Sequence, residues 1–287
     1  MLDPDRYDLV AAAFDRYAER TVFPITECLM EMTGVRVGDS VLDVACGSGI
    51  VSRRAAAIVG PGGRVTGIDL SPGQIGVARE RSRAQGYHWN EFLVMDALRL
   101  EFADAGFDVV VAQFPHLPDR ARCIAEMFRV LKPGGAFAIG NGGGGAPVWP
   151  LANAPAPQDM PSEARLDSLF QCCLQDHFPE LTDGNVGSAP ASRDSLRDEL
   201  EQAGFECIDL WSYAYSAPLA TIEETFELQS VRNSRYRIAR DRLDRERVKA
   251  FETDYRSRAE PTFDRFGFAG LTSGALFGTG IRPHAGV

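Results

Sequence analysis

Residues 41–49 read VLDVACGSG. Val41, Leu42 and Val44 make a short apolar run, and Ala45, Cys46, Gly47, Ser48 and Gly49 follow as a cluster of small residues before a helical pattern from about Ile50. A buried strand that turns through small residues into a helix lets the backbone approach a ligand, with the helix's first amides facing it. Such a turn can serve any nucleotide. Two features narrow it. A dinucleotide fingerprint needs a third glycine at position 52, where this chain has Ser52. Asp43 stands at the strand end, where a carboxylate repels a pyrophosphate and suits an ammonium. The competing role for Asp43 is to cap the turn's own amides.

Asp69, in GIDLS, follows Gly49 by 20 residues, the spacing of the acid that accepts ribose hydroxyls in nucleotide-binding folds. Asp96, in LVMDALRL, is a third acid after a third apolar run. Carboxylates at the ends of three successive strands make a cleft poor for phosphate and suited to an adenosyl cation. S-adenosylmethionine carries an ammonium, a carboxylate and a sulfonium, and no phosphate.

Outward from this stretch, the short apolar runs RVTGI, EFLVM, FDVVVA and AFAIG alternate with helical patterns. Apolar strands each followed by a helix predict a parallel sheet covered on both faces. Ser71-Pro72-Gly73-Gln74 places a helix start, with Ser71 as N-cap. ECIDLWSYAYS and GALFGTGIRP supply two later strands. The fold class is therefore α/β: a Rossmann-like, seven-stranded, mostly parallel sheet with helices on both faces, N-terminal helices and a helical lid insertion. The domain organisation reads as an N-terminal helical cover over 1–37, a cofactor-binding core over 38–145 and a lid insertion over 146–192. The sheet is completed over 193–287, with a helical insertion at about 220–268. An amphipathic helix is expected over Tyr7–Arg20, helices over Ile25–Thr33, Ser162–Phe178 and Asp194–Ala203, and further helices over Ile222–Arg258. LKPGG is read as a turn. The stretch GGGGAPVWPLANAPAPQDMP forms a hinge-like entry to the lid, whose Leu166, Leu169, Phe170 and Cys173 are expected to close over an acceptor.

The 287 residues are ample for a buried core, and 45% apolar with 24% charged residues is an ordinary globular composition. No apolar stretch approaches the roughly 18 residues of a membrane span and the first residues lack a signal pattern, so a cytoplasmic location is expected. The six cysteines form no CxxC pair, so no metal site is expected; Cys172 and Cys173 read as packing. A net charge of -10 argues against nucleic acid as a partner. The segment Arg232–Lys249 runs the other way, with eight basic and three acidic residues, and reads as a solvated face with pairs Arg240–Asp244 and Asp241–Arg245.

VLDVACGSG, GIDLSPGQI, MDALRL, FDVVVAQF and RVLKPGG, in this order, resemble the class I methyltransferases, and among them the branch similar to the ubiquinone and menaquinone biosynthesis enzymes. The resemblance covers Tyr7–Asn141 well and Asp194 onward more loosely. It implies S-adenosylmethionine as cofactor, with Asp43, Ala45, Gly47, Ser48 and Gly49 at its methionine part and Asp69 at the ribose. Leu70 and Ile75 would flank the adenine, Asp96 and Ala97 would bond it, Gln113 and Phe114 would line the floor near the sulfonium, and Tyr17 would close over it. Ala45 departs from the glycine many members carry.

The expected activity is methyl transfer to a small, apolar acceptor of biosynthetic or secondary metabolism. His116 and His177 are the candidate general bases, and Trp149, Phe170 and Tyr213 a candidate aromatic wall for the substrate. One alternative is a protein that keeps the cofactor and catalyses a cyclisation or rearrangement; another is a non-catalytic or RNA-associated module using Arg232–Lys249. A homodimer is compatible with all three.

Overall fold

The computed structural model describes residues 8, 11–142, 166–181 and 192–284. Two helices, α1 (Ala11–Thr21) and α2 (Phe23–Thr33), precede the alternating core. The core runs β1 (Ser40–Val44), α3 (Ile50–Val59), β2 (Arg64–Asp69), α4 (Pro72–Ala84), β3 (Asn90–Val94), β4 (Phe107–Gln113), α5 (Arg120–Val130) and β5 (Leu131–Gly142). Then come α6 (Asp167–His177), α7 (Arg193–Ala203), β6 (Glu206–Leu219), α8 (Ile222–Arg232), α9 (Ser234–Arg242), α10 (Arg245–Phe266) and β7 (Ala269–Ile281).

The seven strands form one sheet in the order β3-β2-β1-β4-β5-β7-β6. Pairing is parallel from β3 to β5, and β7 joins β5 antiparallel, Ala136 opposite Ile281. The expected α/β class, with helices on both faces, is the observed one. Strand order reverses between β1 and β4, and at such a switch point open α/β sheets form their ligand crevice beyond the strands' carboxyl ends. The glycine turn after β1 sits there.

The chain divides into two compact units. Unit 1 comprises 1–146, 187–213 and 274–287. In its main core Leu42, Val110 and Ile139 of the sheet meet Ile124 and Met127 of α5 and Leu196 and Leu200 of α7. These helix residues fall at the three- and four-residue spacing that builds one apolar stripe. Unit 2 comprises 147–186 and 214–273. Its core gathers Phe170, Cys173, Leu174 and Phe178 of α6 and the residue after it with Phe226, Tyr236, Phe251 and Tyr255 of α8, α9 and α10. The stretches read separately as a lid at 146–192 and a helical insertion at about 220–268 thus share one core.

Ser71 caps α4 as its sequence predicts, its hydroxyl accepting from the Gln74 amide at 3.1 Å. The helices expected over 222–258 are three, and the last continues to Phe266. Asn233 ends α8 and caps α9, accepting from the Tyr236 amide at 3.1 Å, and Asp244 caps α10, accepting from the Glu246 amide at 2.9 Å. Asp244 being engaged as a cap, Arg240 pairs with Asp241 at 3.0 Å rather than with Asp244. LKPGG is an irregular entry to β5, where pairing with β4 jumps from Leu131 to Ala136. Among the described residues no helix is long and apolar enough to cross a membrane, and no cluster of His, Cys, Asp or Glu could hold a metal. Cys172 is exposed and Cys173 buried, so the vicinal pair is split between solvent and core.

Candidate active site

The turn after β1 is built from left-handed residues: Ala45 at φ 58°, Gly47 at 53° and Gly49 at 81°. Such φ values suit glycine, and only the last two positions have it. The Cys46 amide donates to the Ile68 carbonyl of β2 at 2.8 Å and the Gly49 amide to the Cys46 carbonyl at 2.9 Å, which closes the turn. A Cβ on Gly49 would lie 3.0 Å from both Ala78 Cβ and Phe92 Cε1. Over Gly47 there is room, with the nearest side-chain atoms, Gln74 Oε1 and Phe14 Cε1, at 3.8 and 4.0 Å.

Asp69, at the end of β2, accepts from the Gly47 amide and from the Ser71 amide, each at 2.9 Å. It therefore ties the glycine turn to the start of α4. Burial raises its pKa, against the lowering effect of these amides. Asp43 differs from its expected place on the open edge. It is 1% exposed, and its Oδ2 accepts from the Ser52 hydroxyl of α3 at 2.6 Å. Burial pushes its pKa up to about 7, with the Ser52 bonds opposing and the Asp69 charge adding to the rise. A side chain in the middle of a parallel strand faces a covering helix, and α3 supplies that helix here.

Asp96 is exposed, and its Oδ1 accepts from the Leu98 amide at 2.9 Å, while Ala97 is half-buried. Leu70 is exposed. Ile75 is fully buried with Cys46, Ala78 and Phe92, so packing accounts for it. Gln113 is buried at the end of β4, and Phe114 follows it at φ 52° with its amide donating to the Gly140 carbonyl at 2.6 Å. A bulky residue in the left-handed region is an outlier of the kind that collects at binding sites. The Tyr17 side chain and Trp149 lie outside the described residues.

Asp43 Oδ1, Gln74 Oε1 and Gln113 Oε1, like Asn90 Oδ1 at the start of β3, are buried acceptor-only atoms of unit 1 without a hydrogen-bond partner among the described residues. Ser48 Oγ, buried in the turn itself, is a further oxygen without a partner among the described residues. Native proteins seldom leave such groups unmade, because each costs about 1–3 kcal/mol.

The two candidate histidines lie in different units. His116 is exposed on the loop after β4. His177 sits in unit 2, where its Nε2 lies 3.0 Å from Asp254 Oδ2 and its ring meets Phe251 edge-on. Phe170, expected in a substrate wall, is fully buried among the rings of Phe226, Tyr236, Phe251 and Tyr255. Leu166 and Cys173 join it there, so the apolar face expected to close over an acceptor is the core of unit 2. Tyr213 is half-buried in unit 1, and burial raises its pKa.

Four residues escape any reading of local sequence. Asp8 accepts from the Ser71 hydroxyl and, at 2.7 Å, from the Gly73 amide. Asp15 of α1 pairs with Arg53 of α3 at 3.2 Å. Gln74 carries one of the unmade acceptors. The partners of Asp8, Asp15 and Arg53 named here lie far away in sequence, and only the helical spacing that puts Asp15 on the buried face of α1 hints at any of them.

Residues 41–135 match a family described as a methyltransferase domain. The demethylmenaquinone methyltransferase of Listeria welshimeri is 40% identical over 111 residues, covering 38% of this chain and 47% of that protein. The chain thus spans about half the length of this curated relative. The solved [4+2]-cyclase SpnF superposes with a TM-score of 0.55 at 21% identity, covering 97% of this chain and 95% of that one. The phosphoethanolamine N-methyltransferase 2 of Haemonchus contortus, solved with S-adenosyl-L-methionine, gives a TM-score of 0.55 at 19% identity, covering 96% of this chain and 57% of that one. Sheet order, a glycine turn at the switch point and the matched residues agree: the chain has the Rossmann-like fold of these proteins, and its residues 41–135 are similar to the methyltransferase domain.

Proposed function

We propose that this chain binds S-adenosylmethionine in unit 1 and transfers its methyl group to a small-molecule acceptor. The observation that carries the reading is the set of buried acceptors, Asp43 Oδ1, Gln74 Oε1 and Gln113 Oε1, around the glycine turn and the end of β4. They call for a ligand rich in donors or positive charge. A phosphate supplies neither, whereas an ammonium and ribose hydroxyls supply both.

When bound, S-adenosylmethionine supplies a methyl on a sulfonium, and the acceptor's lone pair forms the new bond as the carbon–sulfur bond breaks and sulfur keeps the pair. The chain's own task is to hold, align and dry the reacting centre. Asp69 fits the ribose, since it already accepts from two amides and carries further lone pairs. The turn's small residues let a ligand lie against the backbone. Gln113 and Phe114 fit the methyl-bearing end, because they close β4 next to the switch point. A base is needed only for an acceptor that must lose a proton, and His116 is the side chain we assign to that task.

A quinol-like, apolar acceptor is favoured by the relative named for demethylmenaquinone. The fold shared with a named cyclase supports a second reading, in which the cofactor stays intact while an acceptor rearranges. In the segment Arg232–Lys249, Arg247 pairs with Glu180 at 2.9 Å and Arg235 donates to Gln175 at 3.0 Å within unit 2, which favours the solvated-face reading over the RNA-associated alternative.

Calorimetric titration with S-adenosylhomocysteine and with NAD tests the cofactor, and binding of NAD alone would overturn it. Transfer of labelled methyl to demethylated quinols, isoprenoids or polyketides tests the reaction. An acceptor converted without label would establish the second reading.

A further inference from the structure

Arg53 lies in the first turn of α3, just past the glycine turn, and is 5% exposed. A buried arginine next to such a turn invites the idea that it binds the ligand's carboxylate. Its donors are instead committed within the protein. Nη1 donates to the Ser48 carbonyl at 2.6 Å, and Nη2 to Asp15 Oδ1 and Glu19 Oε1 of α1, each at 3.2 Å. Asp15 is fully buried, and its other oxygen lies 2.6 Å from Arg81 Nε of α4.

The bond to Ser48 fixes one peptide plane. That plane joins Ser48 to Gly49, and its other end is held as well, since the Gly49 amide donates to the Cys46 carbonyl. A peptide between two left-handed glycines would otherwise have several orientations open to it. With the Ser48 carbonyl drawn toward the guanidinium, its dipole is fixed relative to whatever lies on the turn. The guanidinium is in turn held by two acids of α1.

We propose that Arg53 is a positioning residue for the glycine turn, oriented by Asp15, so that α1 governs cofactor affinity through the turn's backbone without touching the ligand. The inference rests on the cofactor reading above. It makes Asp15, Arg53 and Ser48 one unit, whose members act through each other rather than by independent contributions.

The test is a double-mutant cycle read by calorimetry with S-adenosylhomocysteine, alongside hydrogen exchange at the amides of 47–49 without ligand. Arg53→Met should weaken binding by about tenfold or more, as the loss of a charge-assisted bond implies. Asp15→Asn should weaken it less, and adding it to Arg53→Met should change the affinity by under about twofold, the sign of coupled residues. Arg53→Lys, with one donor group in place of a fork, should not restore the wild-type value. Amides 47–49 should exchange faster in every variant. If Asp15→Asn does not fold, Glu19→Gln, on a 42% exposed side chain, should show the same faster exchange with a smaller affinity loss. Lower melting temperatures with unchanged affinity and exchange, or effects that multiply in the double variant, would overturn the proposal. Wild-type protein that binds no S-adenosylhomocysteine would sink the cofactor reading alone, and hydrogen exchange would still decide whether Arg53 holds the turn.

Discussion

A carboxyl buried in the sheet sets a pH dependence that a solvated one would not. Asp43 has its pKa raised from 3.8 to about 7, so the folded chain holds that proton after the unfolded chain has released it. Its effect on stability is therefore most favourable below 3.8 and is lost as the pH rises through about 7. The loss is up to about 1.4 kcal/mol per pH unit. Asn cannot ionise yet can still accept from Ser52, so Asp43→Asn should be the more stable protein at pH 7.5 and match wild type near pH 4. Urea denaturation across that range checks it, and parallel curves would remove the assignment. Asp69→Ala should weaken S-adenosylmethionine and S-adenosylhomocysteine alike, by roughly 1.5–3 kcal/mol per charged bond lost, measured by calorimetry. Ala45 at φ 58° accepts a conformation that glycine takes freely, so Ala45→Gly should raise stability by up to about 1 kcal/mol.

The element on which the proposed cofactor binding rests is the β1–turn–α3 unit, whose tolerance differs from one glycine to the next. Gly49→Ala must fit a Cβ 3.0 Å from Ala78 and Phe92 at φ 81°, and should cost about 1–3 kcal/mol of stability together with cofactor affinity. Thermal unfolding and calorimetry read the two losses separately. This unit, all seven strands and the Ser71 cap were legible in the sequence, because short apolar runs and cap residues act over a few positions. The aromatic spacing near Phe170 was equally visible and misled. Periodicity says that a helix has an apolar face and not which surface covers it, and here α10 covers it with Phe251 and Tyr255. Asp43 shows the same limit on a strand: its residue type marks a polar need, while its burial depends on where α3 packs. The Asp15–Arg53 pair joins positions 38 apart and leaves no local trace.

For the molecule as a whole, unit 2 has a core that α6 cannot leave without loss. Phe170→Ala should cost about 3–5 kcal/mol in chemical denaturation, because a fully buried ring at the centre of an aromatic cluster leaves a cavity. Replacing 146–190 by a linker should accordingly raise dye binding to exposed apolar surface, as α10 loses its partner. The pairing of β5 with β7 acts over a longer range. Ala136 opposes Ile281, so during synthesis the edge of β5 emerges roughly 140 residues ahead of the strand that covers it, and such open edges recruit other chains. Nascent chains stalled before β7 should therefore need a chaperone to stay soluble, and release should follow once Ala275–Ile281 has cleared the ribosome.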